Sequence, residues 1–130
     1  MDPVKHSKNK RLCIYSGLMQ GFASSQQRDK ETRWAWLIAA HVVGQHAFSL
    51  HCRNHVAMLR FALELKDYSE AAGQLFRLIL VPFGHALGKL PAGNIGRATV
   101  SAFKPMALDE PFRRLILEAQ TEAAADIKQS

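Results

Sequence analysis

Four of the six histidines in this chain lie within one short stretch, AAHVVGQHAFSLHCRNHVAML. They are His41, His46, His51 and His55. A neutral imidazole is the commonest metal ligand among protein side chains, so this density indicates a metal site before any other chemistry. His51 and His55 are four residues apart, which places both rings on one face of a helix.

The position of His41 completes a candidate three-histidine site. If the chain reverses between Gly44 and Ala47, His41 lies about as far before the turn as His51 lies after it. One ligand from the outgoing helix and an i, i+4 pair from the returning helix leave a coordination position open. The predicted ligands are His41, His51 and His55, with His46 as a candidate fourth. Zinc is the default metal, and iron, nickel and copper are alternatives.

The same histidines also have an interpretation without a metal. His41 would then be a half-buried core residue, and the other three would lie on a solvated face. The pair HxxxH lacks the glutamate that a zinc metalloprotease uses as its general base, so hydrolysis of that kind is not supported. The sequence therefore leaves open whether the protein is an enzyme, and whether a bound metal is structural, sensory or catalytic.

A second constellation follows later in the chain, in the segment GNIGR. Two glycines and an asparagine adopt positive φ readily and can turn successive amides toward one point, so Gly93, Asn94, Gly96 and Arg97 are candidate anion-binding residues. The alternative is a tight turn in which Arg97 binds helix carbonyls or a carboxylate of the domain itself. An enzyme acting on a small anion at this loop is a further hypothesis for function.

The elements that must position these residues are helices, because apolar residues recur at three-and-four spacing through most of the chain. The pattern predicts an all-α fold of stacked antiparallel helical hairpins, similar to tetratricopeptide repeats. Pro82 is expected to kink or end the fourth helix. In that helix Leu75, Phe76, Leu78 and Ile79 are the predicted apolar contributors. The predicted helices cover about 8–27, 29–44, 47–66 and 69–87, and a last one opens at Asp109 with Pro111 in its first turn.

Length and composition predict a single helical domain over residues 1–130. The chain is 48% hydrophobic, and no apolar run approaches the roughly 18 residues of a membrane span. Within the domain we expect a flexible basic arm at 1–8, an ordered loop at 89–108 and a flexible tail at 126–130. The two cysteines are expected to be free thiols of a cytoplasmic protein.

The net charge of +6 raises the question of an anionic partner. Outside the N-terminal arm, however, the basic residues are scattered among acidic ones, which argues against a nucleic-acid partner. A protein or peptide partner is the main alternative to a metal. In that hypothesis the chain is a helical-repeat interaction module, with a groove between hairpins that takes a partner helix, or with a face that forms a homo-oligomer.

Three segments carry a resemblance to a known family: AHVVGQ, HxxxHxxML from His51 to Leu59, and LPAGNIGRATVSAFKPM. Together with GQLFRL they resemble an uncharacterised bacterial family of small helical proteins, a domain of unknown function, over roughly residues 30–108. Ile95 stands where that family usually has threonine. The residues that the resemblance picks out are His41, His51, His55, Asn94, Gly96, Ser101 and Pro105.

Overall fold

The structure is a computed structural model, and it describes residues 7–88, 94, 96–98 and 108–129. Every regular element in these ranges is an α-helix, so the all-α prediction is confirmed. Most of the loop predicted at 89–108 lies outside the described residues. The helices are α1 (Lys8–Ala23), α2 (Lys30–Gly44), α3 (Phe48–Glu64), α4 (Tyr68–Leu87) and α5 (Glu110–Gln129).

Local sequence signals account for several of the helix ends. Asp67 caps α4 by accepting a hydrogen bond of 3.1 Å from the backbone N–H of Glu70. At the start of α5, Pro111 occupies the first turn, where a missing N–H leaves no intrahelical bond unmade. The helix α4 continues through Pro82, which is exposed, and ends only at Gly88, whose φ of 65° is the left-handed conformation of a helix C-cap.

The helices form a layer in which α2 is central. It packs against α1, α3 and α5, while α1 also packs against α5 and α3 packs against α4. One apolar cluster lies between α1, α2 and α5, and a second lies mainly between α2 and α3. The first includes Ile14, Leu18, Val43 and Ile116, and the second includes Trp34, Leu37, Met58 and Phe61.

The orientation of α4 differs from the prediction. Leu75, Phe76 and Ile79 were expected to be core residues, but their exposed fractions are 55%, 58% and 60%. That expectation was wrong because apolar spacing identifies a stripe without telling whether it faces the core. The exposed apolar set extends to Leu12 of α1 and to Val56 and Leu63 of α3. The buried face of α4 instead carries Glu70, Ala71, Gln74, Arg77 and Val81.

The two ends of the domain are partly described. The helix α1 begins at Lys8, and residues 1–6 of the predicted arm lie outside the described residues. The helix α5 extends to Gln129 and includes most of the predicted tail, so the flexibility of both segments stays a prediction. Among the residues described, we find no helix with the length and hydropathy that crossing a membrane requires. A cytoplasmic location stays a prediction.

Candidate metal centre

Three histidines from two helices meet in the interior of the domain. His41 lies in the last turn of α2, and His51 and His55 lie one turn apart in α3. All three are buried. The chain reversal that brings them together is tight: a Cβ at Gly44 would be 3.2 Å from the Cβ of Leu50, so a larger residue there would push α2 and α3 apart. The predicted convergence of the three rings is confirmed.

The three rings approach one another through their Nε2 atoms. The Nε2 atom of His55 is 3.2 Å from Nε2 of His41 and 3.1 Å from Nε2 of His51. A Zn–N bond of about 2.0–2.1 Å with ligand angles between about 90° and 109° places two ligand nitrogens roughly 2.9–3.4 Å apart. Both separations therefore match two ligands of one metal ion, and the three residues form a group that could hold such an ion.

Hydrogen bonds on the far side of two rings fix the tautomers. The Nδ1 atom of His41 is 2.8 Å from the backbone carbonyl oxygen of Asn94, and a carbonyl can only accept. The Nδ1 atom of His55 is 2.7 Å from Oε1 of Gln74. The amide of Gln74 is itself oriented, because its Nε2 donates to Oε1 of Glu70 at 2.8 Å and to the carbonyl of Gly96 at 2.9 Å. Both imidazoles therefore carry their proton on Nδ1.

This assignment leaves two lone pairs facing each other. In neutral rings with Nδ1–H, the Nε2 atoms of His41 and His55 are both acceptors, and they lie 3.2 Å apart with no proton between them. Two buried acceptors at hydrogen-bond distance repel unless a cation lies between them. A metal ion bound to both lone pairs satisfies this requirement without changing either outer hydrogen bond.

The surroundings of the three rings disfavour a proton as the cation between the Nε2 atoms. Burial is the main cause that lowers the pKa of each ring, to about 3 for His51 and about 4 for His55, and it holds the pKa of His41 well below its ordinary value. Neighbouring histidines lower the pKa of His41 and His51 further. At neutral pH the rings are therefore uncharged, which is the protonation state in which histidine binds metals.

The third ring has its outer partner on α4. The Nδ1 atom of His51 is 3.0 Å from Nε2 of His85, a ring whose pKa is lowered by burial and by the nearby His46. Two of the three predicted ligands, His41 and His55, therefore have an oxygen acceptor for their Nδ1–H, and the outer partner of the third is another imidazole.

A buried carboxylate completes the network around the site. Glu70 accepts hydrogen bonds from Gln74 and, at 2.9 Å, from the backbone N–H of Ala98. It also pairs with Arg97 at 3.5 Å. The negative charge of Glu70 is two hydrogen bonds from His55 and raises the pKa of that ring, whereas the buried guanidinium of Arg77 lowers it by more. The charges around the site therefore do not by themselves favour a cation.

The residues of the candidate anion loop serve this network. The N–H of Gly96 donates to Oδ1 of Asn94 at 2.9 Å, and Arg97 faces the carboxylate of Glu70. Gly96 has a φ of +81°, and a Cβ there would be 2.6 Å from the His41 ring, so only glycine fits. Gly93 lies outside the described residues. Glu70 is thus the internal carboxylate for Arg97, and binding of an external anion at this loop stays a prediction.

His46 and Cys52 are not part of the three-residue group. His46 is exposed in the turn between α2 and α3, and its role as a fourth ligand stays a prediction. Cys52 is partly exposed, burial raises the pKa of its thiol, and both cysteines are free, as expected.

Sequence reasoning missed the supporting residues on α4. Glu70, Gln74 and Arg77 follow at i, i+4 and i+7, which is a polar stripe on one face of an otherwise apolar helix. Such a stripe indicates that the helix turns polar groups toward a buried polar site. His85 continues the same side of the helix toward His51, and its isolated position in the sequence gave no signal.

Comparison with known proteins supports the family assignment and gives no activity. Neither the curated proteins nor the solved structures include a match to this chain. The model of the family described as a protein of unknown function, DUF3703, matches residues 8–116. That range covers α1 to α4, the three buried histidines and the first turns of α5. The chain therefore belongs to the DUF3703 family.

Proposed function

We propose that the protein binds one transition-metal ion through the Nε2 atoms of His41, His51 and His55. The observation that carries this proposal is that the Nε2 atoms of His41 and His55 lie 3.2 Å apart and both carry a lone pair, because outer hydrogen bonds hold the protons on Nδ1. Three neutral imidazoles suit zinc, and iron, nickel and copper are the alternatives. The metal would act as a Lewis acid at any coordination position that the three histidines leave open.

The test is elemental analysis of the untagged chain, purified without chelator. We expect close to one equivalent of metal, and loss of that metal in His41→Ala, His51→Ala and His55→Ala. The matched control is His46→Ala, an exposed histidine from the same stretch, which should keep the metal. Far-UV circular dichroism separates loss of the site from loss of the fold. Folded protein that takes up none of the four metals would contradict the proposal.

The role of the metal is tested separately from its binding. A structural ion would raise the unfolding free energy without exchanging its ligands, whereas a catalytic or sensory ion would bind a small anion or water at a free position. Substitution with cobalt gives a visible spectrum that changes when azide or cyanide binds at such a position. An unchanged spectrum would assign the structural role.

A protein-interaction role is a second candidate, because the outer face of α4 is apolar and exposed. It carries Tyr68, Leu75, Phe76, Ile79, Phe83 and Leu87, each more than half exposed. A large aromatic side chain has about 150–250 Å² of surface, and a leucine or isoleucine side chain somewhat less. Six such side chains that are each a little more than half exposed therefore present on the order of 700 Å². Each partner in a standard interface buries roughly 800 Å². The surface therefore has the size of a dimer interface, and its occupant would be the same face of a second copy.

Sedimentation velocity tests this second candidate. We expect a dimer that dissociates in Ile79→Glu and Phe83→Glu, since each places a charge in the interface. The matched control is Leu117→Glu on α5, an exposed leucine outside this face, which should leave the dimer intact. A monomer at every concentration would contradict this proposal and would leave the metal site unaffected. Stacking of the hairpins in the manner of tetratricopeptide repeats likewise stays a proposal.

A further inference from the structure

A cavity of about 880 Å³ lies between the C-terminal end of α1, the first half of α2 and the start of α5. None of the three predicted metal ligands lines it. Its volume is within the roughly 300–1,000 Å³ of small-molecule sites in proteins. The cavity therefore has room for a ligand of several rings, at a place that the metal hypothesis does not use.

The charged groups in the wall are mostly positive. Arg28, Arg97 and Arg114 line the cavity, against a single carboxylate, that of Glu31. Arg97 is already paired with Glu70. Arg28 and Arg114 form no salt bridge with any residue in the described part of the chain. Two guanidinium groups are thus available to an anion, and guanidinium binds carboxylate, sulfonate or phosphate oxygens through paired N–H donors.

The uncharged part of the wall includes three aromatic side chains. Both tryptophans of the chain, Trp34 and Trp36, line the cavity together with Phe112. The guanidinium of Arg97 stacks on Trp34, with its carbon 4.1 Å from the ring centroid. The ring of Trp36 lies against the backbone of α1 at Gly21, where a Cβ would overlap it. Flat surfaces held in this way favour a flat ligand, because ring stacking then costs little ordering of the protein.

We infer that this cavity binds a planar aromatic compound that carries an anionic group. The ring packs against Trp36 and Phe112, and the anion pairs with Arg28 and Arg114. This inference does not rest on the proposed metal, since neither the walls nor the free guanidinium groups include a predicted metal ligand, although the wall residue Arg97 also pairs with Glu70.

Calorimetric titration of the untagged full chain tests the inference with three probes. Naphthalenesulfonate supplies the ring and the charge, naphthalenemethanol supplies the ring alone, and inorganic sulfate supplies the charge alone. We expect saturable one-to-one binding of naphthalenesulfonate, and binding of each partial probe weaker by about tenfold or more. The indole N–H signals of Trp34 and Trp36 in the NMR spectrum should both shift, because both rings lie at the cavity.

Two substitutions on one helix provide the matched pair. Arg114→Gln removes a guanidinium that lines the cavity, whereas Arg113→Gln removes its exposed neighbour, which does not. We expect about tenfold weaker binding in Arg114→Gln and unchanged binding in Arg113→Gln. Absence of saturable naphthalenesulfonate binding, equal binding of naphthalenemethanol, or an equal effect of the two substitutions would each overturn the inference.

Discussion

Two interior regions of the molecule bury opposite kinds of side chain. Toward α1 and α5, the interior is aliphatic, with Leu18, Val43 and Ile116 among its fully or nearly fully buried residues. Between the C-terminal end of α2, α3 and α4, next to the apolar cluster of α2 and α3, the interior contains His41, His55 and other polar side chains joined by hydrogen bonds. Apolar burial stabilises a fold by itself, whereas polar burial costs free energy unless every group has a partner. The difference is what we expect if the first interior maintains the fold and the second holds the proposed metal ion.

The largest expected effect is that acid lowers the unfolding free energy through the polar interior and not through the aliphatic one. The pKa values of His51 and His55 are lowered from the ordinary 6.5 to about 3 and about 4. Between these values and pH 6.5, the two histidines are protonated in the unfolded chain and neutral in the folded chain. Stability is therefore complete above about pH 6.5 and falls below it, by about 1.4 kcal/mol per pH unit for each such histidine.

Urea unfolding of chelator-treated protein between about pH 7 and pH 4.5 measures this dependence. Removing one buried histidine in His55→Gln should make the slope shallower by about one proton. His46→Ala is the comparison and should change the slope less than His55→Gln, because this exposed ring is outside the buried group and only lowers the pKa of His51 through its charge. Stability that is flat over this range would show that the buried histidines are not held neutral.

Truncation in the aliphatic interior comes next in size. Leu18 is completely buried, so Leu18→Ala should lower the unfolding free energy by about 2–5 kcal/mol through lost contacts and a cavity. Zinc affinity of the folded variant should be unchanged, because α1 contributes no ligand. Denaturant unfolding and zinc titration measure the two quantities on the same sample. A large loss of zinc affinity in the folded variant would mean that the two interiors are not independent.

Substitution of a supporting residue in the polar interior should have a smaller effect, and it should lower the metal affinity rather than the stability of the fold. Gln74→Leu removes the acceptor that holds His55, and loss of such an outer hydrogen bond typically costs about 10–100-fold in metal affinity. The control is Gln27→Leu in the exposed turn between α1 and α2. Competition with a zinc-chelating dye measures both variants. Equal affinities would show that Gln74 does not orient the ligand.

The outer face of α4 should give the smallest effect on the folded monomer. Leu75→Gln replaces a side chain that is more than half exposed, so the unfolding free energy should change by no more than about 0.5 kcal/mol. The inner face provides the contrast, because Ala71→Leu would overpack a buried position next to Phe61 and Ala62 and cost about 1–3 kcal/mol. Thermal unfolding at low protein concentration compares the two. A large loss in Leu75→Gln would show that this face is covered.

The sequence predicted the aliphatic side of the molecule better than the polar side. Helix positions follow from apolar spacing, and the start of the last helix follows also from Asp109 and Pro111, which are local signals. The histidines were identified because His51 and His55 share a helical spacing and His41 mirrors them across a turn. The orientation of α4 was not predictable in this way, since its outward stripe is as apolar as a core stripe. Only the three-dimensional contacts of Gln74 and His85 show which face of α4 is turned toward His51 and His55.

The central claim is that one metal ion is shared by the three Nε2 atoms, and anomalous X-ray diffraction tests it most directly. Crystals of the untagged chain grown with zinc would be measured above and below the zinc absorption edge. The proposed site predicts one strong anomalous peak at about 2.0–2.1 Å from Nε2 of His41, His51 and His55, with their outer hydrogen bonds retained. No peak between these rings in zinc-saturated crystals, or a peak only at exposed His46, would contradict it.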